Sequence, residues 1–455
     1  MNDSSLNAAS LDKSSTENVR AMLSEANAGF KRLFPGESDA RQAVHTVYGG
    51  AHLFKADTAG KMAEVALRSF KEYAPDAAIL ARCLGFDLGD VLSKRLYDRV
   101  LAKLSREAVE DFRIDFEDGY GNRPDEEEDS HARQAAEEVA LGLKNGTLPP
   151  FIGIRIKTFT DELVVRSIRT LDIFLTTLVR ASGGKLPDNF VVTTPKVTHV
   201  QQITSLVEVL NVLEAKLKLA PGSLKFEIMV ETPQSVIGPN GTCPIPMFIA
   251  RSEGRCVAAH FGVYDYTASV NITASHQEMN HPACDLARGI MQIALAGTGI
   301  MMSDGATNIM PVGPHRAPKG SSLSAEQLKE NREVVHRAWK LCFDHVRHSL
   351  RNAFYQGWDL HPAQLPVRYA AVYSFFMEGL DAASARLKAF MEKAAQATLV
   401  GDVFDDAATG QGLLNFFLRG MNCGAITVDE ATATGLTVAE LQTRSFLKIL
   451  NMRRQ

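Results

Sequence analysis

His45-Thr46-Val47-Tyr48-Gly49-Gly50-Ala51-His52-Leu53-Phe54 is the stretch on which the fold turns. It reads as a first β-strand, and apolar residues at helical spacing follow over residues 59–73, so a strand-then-helix unit opens the ordered part of the chain. In a nucleotide-binding sheet the turn after such a strand carries a glycine fingerprint that lets the backbone approach phosphate. Here Gly49-Gly50 is a lone pair, and neither GxGxxG nor GxxxxGK[ST] follows any strand.

Outward from this unit the pattern repeats. Residues 112–116 read as a second strand, with an acidic, Ala-rich helix over 125–144. Residues 151–156, bounded by Pro149-Pro150, form a third, with a helix over 161–182. Strands at 190–195 and 226–230 follow, separated by a helix over 200–219, and a short helix opens after Pro233. Further strands are expected at 257–263, 299–302 and 357–360, with a long helix over 324–355 before the last. Alternation of this kind makes a parallel sheet. Without the glycine fingerprint the expected architecture is an α/β (β/α)8 TIM barrel over residues 41–370, with an N-terminal helical extension at 1–40 and a C-terminal helical region at 371–455.

Composition narrows the function classes. With 49 Lys and Arg against 53 Asp and Glu, the net charge of -4 excludes a nucleic-acid polyanion binder. Six cysteines, none in a CxxC pair, argue against a thiolate zinc site and suit a reducing compartment. The polar, Ser-rich first twenty residues hold no hydrophobic signal region, and the longest apolar stretch, 289–302, is too short for a membrane span. A cytoplasmic protein without a membrane partner is expected.

The chemistry sits at strand ends. The second strand leads into Asp115-Phe116-Glu117-Asp118-Gly119, where alternation puts Asp115 and Glu117 on one side. The third carries Arg155 in an apolar run, the fifth is followed by Glu231, and the sixth leads to Asp265. Singly, each has a plain explanation: a strand-end carboxylate caps the next helix, and an Arg in a strand serves as an ion-pair partner. Together they open onto one barrel mouth. Glu231 and Asp265 make an oxygen-only site of the kind Mg2+ (or Mn2+) prefers, and Arg155 suits a substrate carboxylate. Such parts fit carbon–carbon bond making or breaking beside a carbonyl, where a cation and a guanidinium hold the developing negative charge. A Schiff-base route would rest on Lys196 and leaves the carboxylates unexplained.

The motifs in order resemble the citrate lyase beta subunit-like family, which includes malyl-CoA lyases and, more distantly, 4-hydroxy-2-oxo-acid aldolases of the phosphoenolpyruvate/pyruvate-type TIM-barrel superfamily. Ile114-Asp115-Phe116-Glu117-Asp118-Gly119 is similar to its Asp-x-Glu-Asp motif, and Gly153-Ile154-Arg155-Ile156 to its Arg-bearing strand. Thr194-Pro195-Lys196-Val197, Met229-Val230-Glu231-Thr232-Pro233, Gly262-Val263-Tyr264-Asp265-Tyr266 and His361-Pro362-Ala363-Gln364 resemble its later motifs. The resemblance implies Glu231 and Asp265 as metal ligands, Arg155 as a substrate or enolate ligand, and Glu117 and Asp118 as groups that position water or substrate. It makes Lys196 a weaker substrate-binding candidate and His361 a residue that pins a loop. It also implies a homo-oligomer, a small carboxylate substrate that includes CoA thioesters, and an acidic residue reaching a neighbouring subunit. Asp405, in Gly401-Asp402-Val403-Phe404-Asp405-Asp406, is the candidate for that last role, against the plain reading of a solvated turn.

The distant aldolases carry a Glu-His pair where this chain has Glu117-Asp118, which places it with the lyase-like branch. The stretch with Asn271, His276 and His281, and the polar run Ser303-Asp304-Gly305-Ala306-Thr307-Asn308, depart from the pattern and are expected as loops over the mouth, where selectivity is set. The expected function is a Mg2+-dependent lyase or aldolase. A malate-synthase-like condensation or a thioesterase at the same site, and a non-catalytic barrel subunit, are the alternatives.

Overall fold

Eight strands, β1 (His45–Gly50), β2 (Asp111–Asp115), β3 (Phe151–Arg155), β4 (Phe190–Thr194), β5 (Lys225–Val230), β6 (Cys256–Phe261), β7 (Met301–Ala306) and β8 (Gln356–Asp359), pair in sequence order. All neighbours are parallel, and β8 returns to β1 through His45↔Gly357 and Val47↔Asp359, closing the barrel. This computed structural model describes residues 13–36, 38, 40–318, 320–392, 398–400, 403–405 and 407–453.

The two-residue period of each strand divides its side chains between two environments. In β2, Phe112 and Ile114 join the apolar layer between barrel and helices, whereas Asp111, Arg113 and Asp115 turn into the barrel. Charge therefore fills the interior, and it is paired, as burial requires. Arg113 donates to both carboxylate oxygens of Glu227 at 2.7 and 2.8 Å and also bonds Asp111. His260 Nε2 lies 3.0 Å from Glu227, and its Nδ1 accepts the Trp358 indole N–H at 3.0 Å.

Two strands differ from the expected ones. β1 ends at Gly50, after which the chain takes one tight 3-10 turn, Ala51–Leu53. A Cβ at Gly50 would meet the carbonyl of Gly119 at 2.5 Å, so the close approach to the β2 loop requires glycine there. β7 runs through Ser303-Asp304-Gly305-Ala306, a polar segment expected as a loop. Its Asp304 is buried but satisfied, accepting from Arg288 Nε at 2.8 Å and Ser349 Oγ at 2.5 Å.

Helices Ala77–Leu84 and Gly89–Glu107 intervene before β2. The C-terminal helix Leu365–Glu392 packs along Ala325–Arg351 and Gly89–Glu107, and Ala407–Asn422 packs on it in turn. Thr398–Val400 and Val403–Asp405 form a small antiparallel ribbon. Helix Lys13–Leu33 leads to the N-terminal ends of the strands, where a cavity of about 1080 Å3 is lined by Phe34, Phe190, Ile293 and Ile300 above Arg113 and Glu227. Among the described residues, no helix is long and apolar enough to cross a membrane.

Candidate active site

The opposite, C-terminal end of the barrel gathers the charged residues singled out in the sequence. Parallel pairing sets Asp115 beside Arg155, Arg155 beside Thr193, Thr194 beside Ile228 and Val230 beside Phe261. The residues that follow these strand ends, Glu117 and Asp118, Lys196, Glu231 and Asp265, consequently share one mouth. Asp265 stands in the first turn of helix Val263–Ser269, directly after β6.

Arg155 is the centre of one half. Its Nε donates to Asp115 Oδ1 at 2.7 Å and its NH2 to Asp115 Oδ2 at 2.5 Å, a fork-on-carboxylate pair between adjacent strands. The same carboxylate accepts the backbone N–H of Glu117 at 3.0 Å and of Gly119 at 2.7 Å, so it fixes the loop after β2. The remaining edge of the guanidinium, NH1, lies 3.1 Å from Glu117 and 3.6 Å from Asp118. Burial opposes the Arg155 charge, but Asp115 and then Glu117 outweigh it and hold the guanidinium firmly protonated.

Lys196 ties the other half together. It has left-handed backbone (φ 50°), a conformation disfavoured for a residue with a Cβ. Its N–H donates to Glu231 Oε1 at 2.7 Å. Its ammonium bonds Glu117, and lies 3.1 Å from Asp118 and 3.6 Å from Asp265. Burial works against this charge too, and Glu231, Glu117 and Asp265 together raise the Lys196 pKa above its ordinary value.

Glu231 is 1% exposed, whereas the side chain of Asp265 is 40% exposed, so one carboxylate forms the floor and the other faces solvent. Burial, and next the charge of Asp265, push the Glu231 carboxyl up to about 8, against the pull of Lys196 and Arg155. The backbone just after β6 closes on it as well, since a Cβ at Gly262 would run into the Glu231 side chain. Burial likewise raises Glu117, with Arg155 and Lys196 pulling the other way.

Two lining residues carried no signal in the sequence reading. The Tyr48 ring lies under the Arg155 guanidinium at 4.8 Å and against Trp358 at 4.5 Å. The buried Tyr48 hydroxyl has no hydrogen-bond partner among the described residues. Its inward direction follows from register, Tyr48↔Arg113, which alternation along β1 would have given. His361 caps the turn Pro362–Gln364, its Nδ1 accepting from Ala363 N–H at 3.1 Å. Asp405 ends the strand Val403–Asp405, and its side chain lies outside the described residues.

Among the described residues singled out in the sequence, the barrel mouth holds four carboxyl groups, Glu117, Asp118, Glu231 and Asp265, with Asp115 buried behind Arg155, against the two cations Arg155 and Lys196. Among the described residues, no three His, Cys, Asp or Glu side chains form a ready-made metal cage. An excess of carboxylate is nonetheless the donor chemistry that a hard cation takes, with water and substrate completing its shell.

No curated protein matches the chain. Among solved structures, it is similar to a citrate lyase of Burkholderia xenovorans LB400 at 17% identity and TM-score 0.54, over 86% of this chain and 96% of that one. Protein CitE of Mycobacterium tuberculosis, in complex with magnesium, acetoacetate and coenzyme A, matches at 14% identity and TM-score 0.47, over 85% and 100%. Haloferax volcanii malate synthase, as its magnesium and glyoxylate complex, matches at 13% identity and TM-score 0.47, over 91% and 98%. At such identity the first of these shows a shared barrel fold. The family described as Domain of unknown function (DUF6986) matches residues 23–449, and the chain belongs to that family.

Proposed function

We propose that this protein is a Mg2+- or Mn2+-dependent carbon–carbon lyase or aldolase acting on a 2-oxo acid, a hydroxy-dicarboxylate or its CoA thioester. The observation that supports the reading is that Lys196 reaches both buried Glu231, through its backbone N–H at 2.7 Å, and solvent-facing Asp265, 3.6 Å from its ammonium, in a mouth where carboxylates outnumber cations. The residues fit the ion: Glu231 and Asp265 would hold it. When bound, it supplies Lewis-acid polarisation of the substrate carbonyl.

The chain's own groups do the rest. Arg155 is clamped by Asp115 through Nε and NH2, so only its NH1 edge, which pairs with Glu117, would be shared with substrate, as a single hydrogen bond to a carboxylate or carbonyl oxygen and not a two-pronged clamp. The Asp115 clamp keeps the guanidinium oriented toward developing negative charge. Glu117, which faces both Arg155 and Lys196, would hold a water or substrate hydroxyl. The rings of Tyr48 and Trp358 give the carbon skeleton an apolar wall. Asp405 remains a proposed acid or base from the C-terminal region, and a homo-oligomer is part of the same reading.

Turnover screening with added Mg2+ tests it. Oxaloacetate, 4-hydroxy-2-oxo acids, malyl-CoA and citramalyl-CoA are the panel, and cleavage of at least one, lost in Arg155→Met, is expected. Inactivity against all of them, with metal bound, would favour a non-catalytic barrel.

A further inference from the structure

The ammonium of Lys196 occupies an unusual place. It projects from the end of β4 into a ring of three carboxylates, bonding Glu117, 3.1 Å from Asp118 and 3.6 Å from Asp265. The same residue's backbone N–H holds Glu231, so one lysine touches both members of the Glu231–Asp265 pair. Its left-handed backbone is a strained conformation kept where the surroundings impose it, here between Pro195 and the Glu231 carboxylate. The side chain is 27% exposed, so its flexible four-carbon stem meets solvent on one side.

A monovalent ammonium beside Asp265 and a divalent ion on Asp265 repel each other strongly at such range in a half-buried site. We propose that Lys196 is a built-in counter-cation: it weakens divalent-cation binding until a carboxylate ligand draws its ammonium away, so that cation and carboxylate bind as a mutually dependent pair. This rests on the metal-site reading above and adds a selectivity device to it. An anionic ligand is required to complete the site, and a free cation alone is a poor occupant. The coupling is reciprocal, so the cation also strengthens the carboxylate's binding.

The full chain is titrated with Mn2+ alone, free Mn2+ being followed by its electron paramagnetic resonance signal, and then again with pyruvate present. Lys196→Met is expected to bind Mn2+ alone at least tenfold more tightly than the parent chain, and to show a smaller gain from pyruvate. Lys196→Arg, which keeps the charge, should behave like the parent. Thermal melting checks folding, and Lys196→Gln serves in place of Lys196→Met if that variant does not fold. Equal or weaker Mn2+ binding by the neutral variants overturns the role of Lys196 and leaves the metal site standing. No Mn2+ binding by any variant, with or without pyruvate, overturns the metal site itself and this proposal with it.

Discussion

Arg155 and Asp115 face each other across β3 and β2 with two parallel hydrogen bonds, 2.7 and 2.5 Å long, both partners buried. The pair does two things at once: it aims the NH1 edge of the guanidinium at Glu117 in the mouth, and through Asp115 it pins the N–H groups of Glu117 and Gly119.

Removing Asp115 should therefore be severe. Asp115→Ala leaves a buried guanidinium without its partner, and a loss of about 3–5 kcal/mol is expected for breaking such a pair. Urea unfolding measures it. Arg155→Lys keeps the charge but loses the fork, and is expected to lower kcat by more than it lowers stability.

Glu231 makes stability depend on pH. Its carboxyl titrates near about 8 in the folded chain against 4.5 ordinarily. Between those values the folded state holds a proton that the unfolded state has released. This contribution is complete below the unfolded value and is lost as pH rises through about 8. The metal-free protein should lose about 3 kcal/mol from this group between pH 6 and pH 9. Glu231→Gln, which cannot ionise, should remove that part of the slope in chelator-treated samples.

Gly262 tests how tightly the turn after β6 confines that carboxylate. A methyl group there would collide with the Glu231 side chain, so Gly262→Ala has to displace it. Calorimetric titration should show Mn2+ affinity reduced at least tenfold. The stability cost should be about 1–3 kcal/mol, that of overpacking.

Tyr48→Phe removes a buried hydroxyl that lacks a hydrogen-bond partner among the described residues. The ligand-free protein should be unchanged or more stable by about 1 kcal/mol, since no hydrogen bond is lost and a desolvated polar group goes. A fall in melting temperature would show that the hydroxyl is bonded.

Much of this was legible in the sequence. Strands such as 151–156 and 190–194 are largely apolar, and a charged residue at such a strand's end, Arg155 above all, stands out against them. What could not be read were partners distant in sequence. Asp304 reads as a loop residue because Arg288 and Ser349, which make it tolerable inside β7, lie on helices packed against the strand. Asp115 looked like one of three similar carboxylates, yet Arg155 takes it as structure and leaves Glu117 and Asp118 in the mouth. Lys196 seemed minor because its neighbours, Glu117, Asp118, Glu231 and Asp265, come from three other segments. The strand expected to run on to Phe54 stops at Gly50 and becomes a tight turn where Gly50 approaches Gly119, which no local pattern announces.

Crystals grown with Mn2+ and pyruvate, measured at a wavelength where manganese scatters anomalously, examine the metal site directly. One anomalous peak is expected at the C-terminal mouth, within about 2.0–2.3 Å of an oxygen from each of Glu231 and Asp265, the range of hard-cation carboxylate bonds. A peak elsewhere, or none between those two side chains, would contradict the metal-site reading.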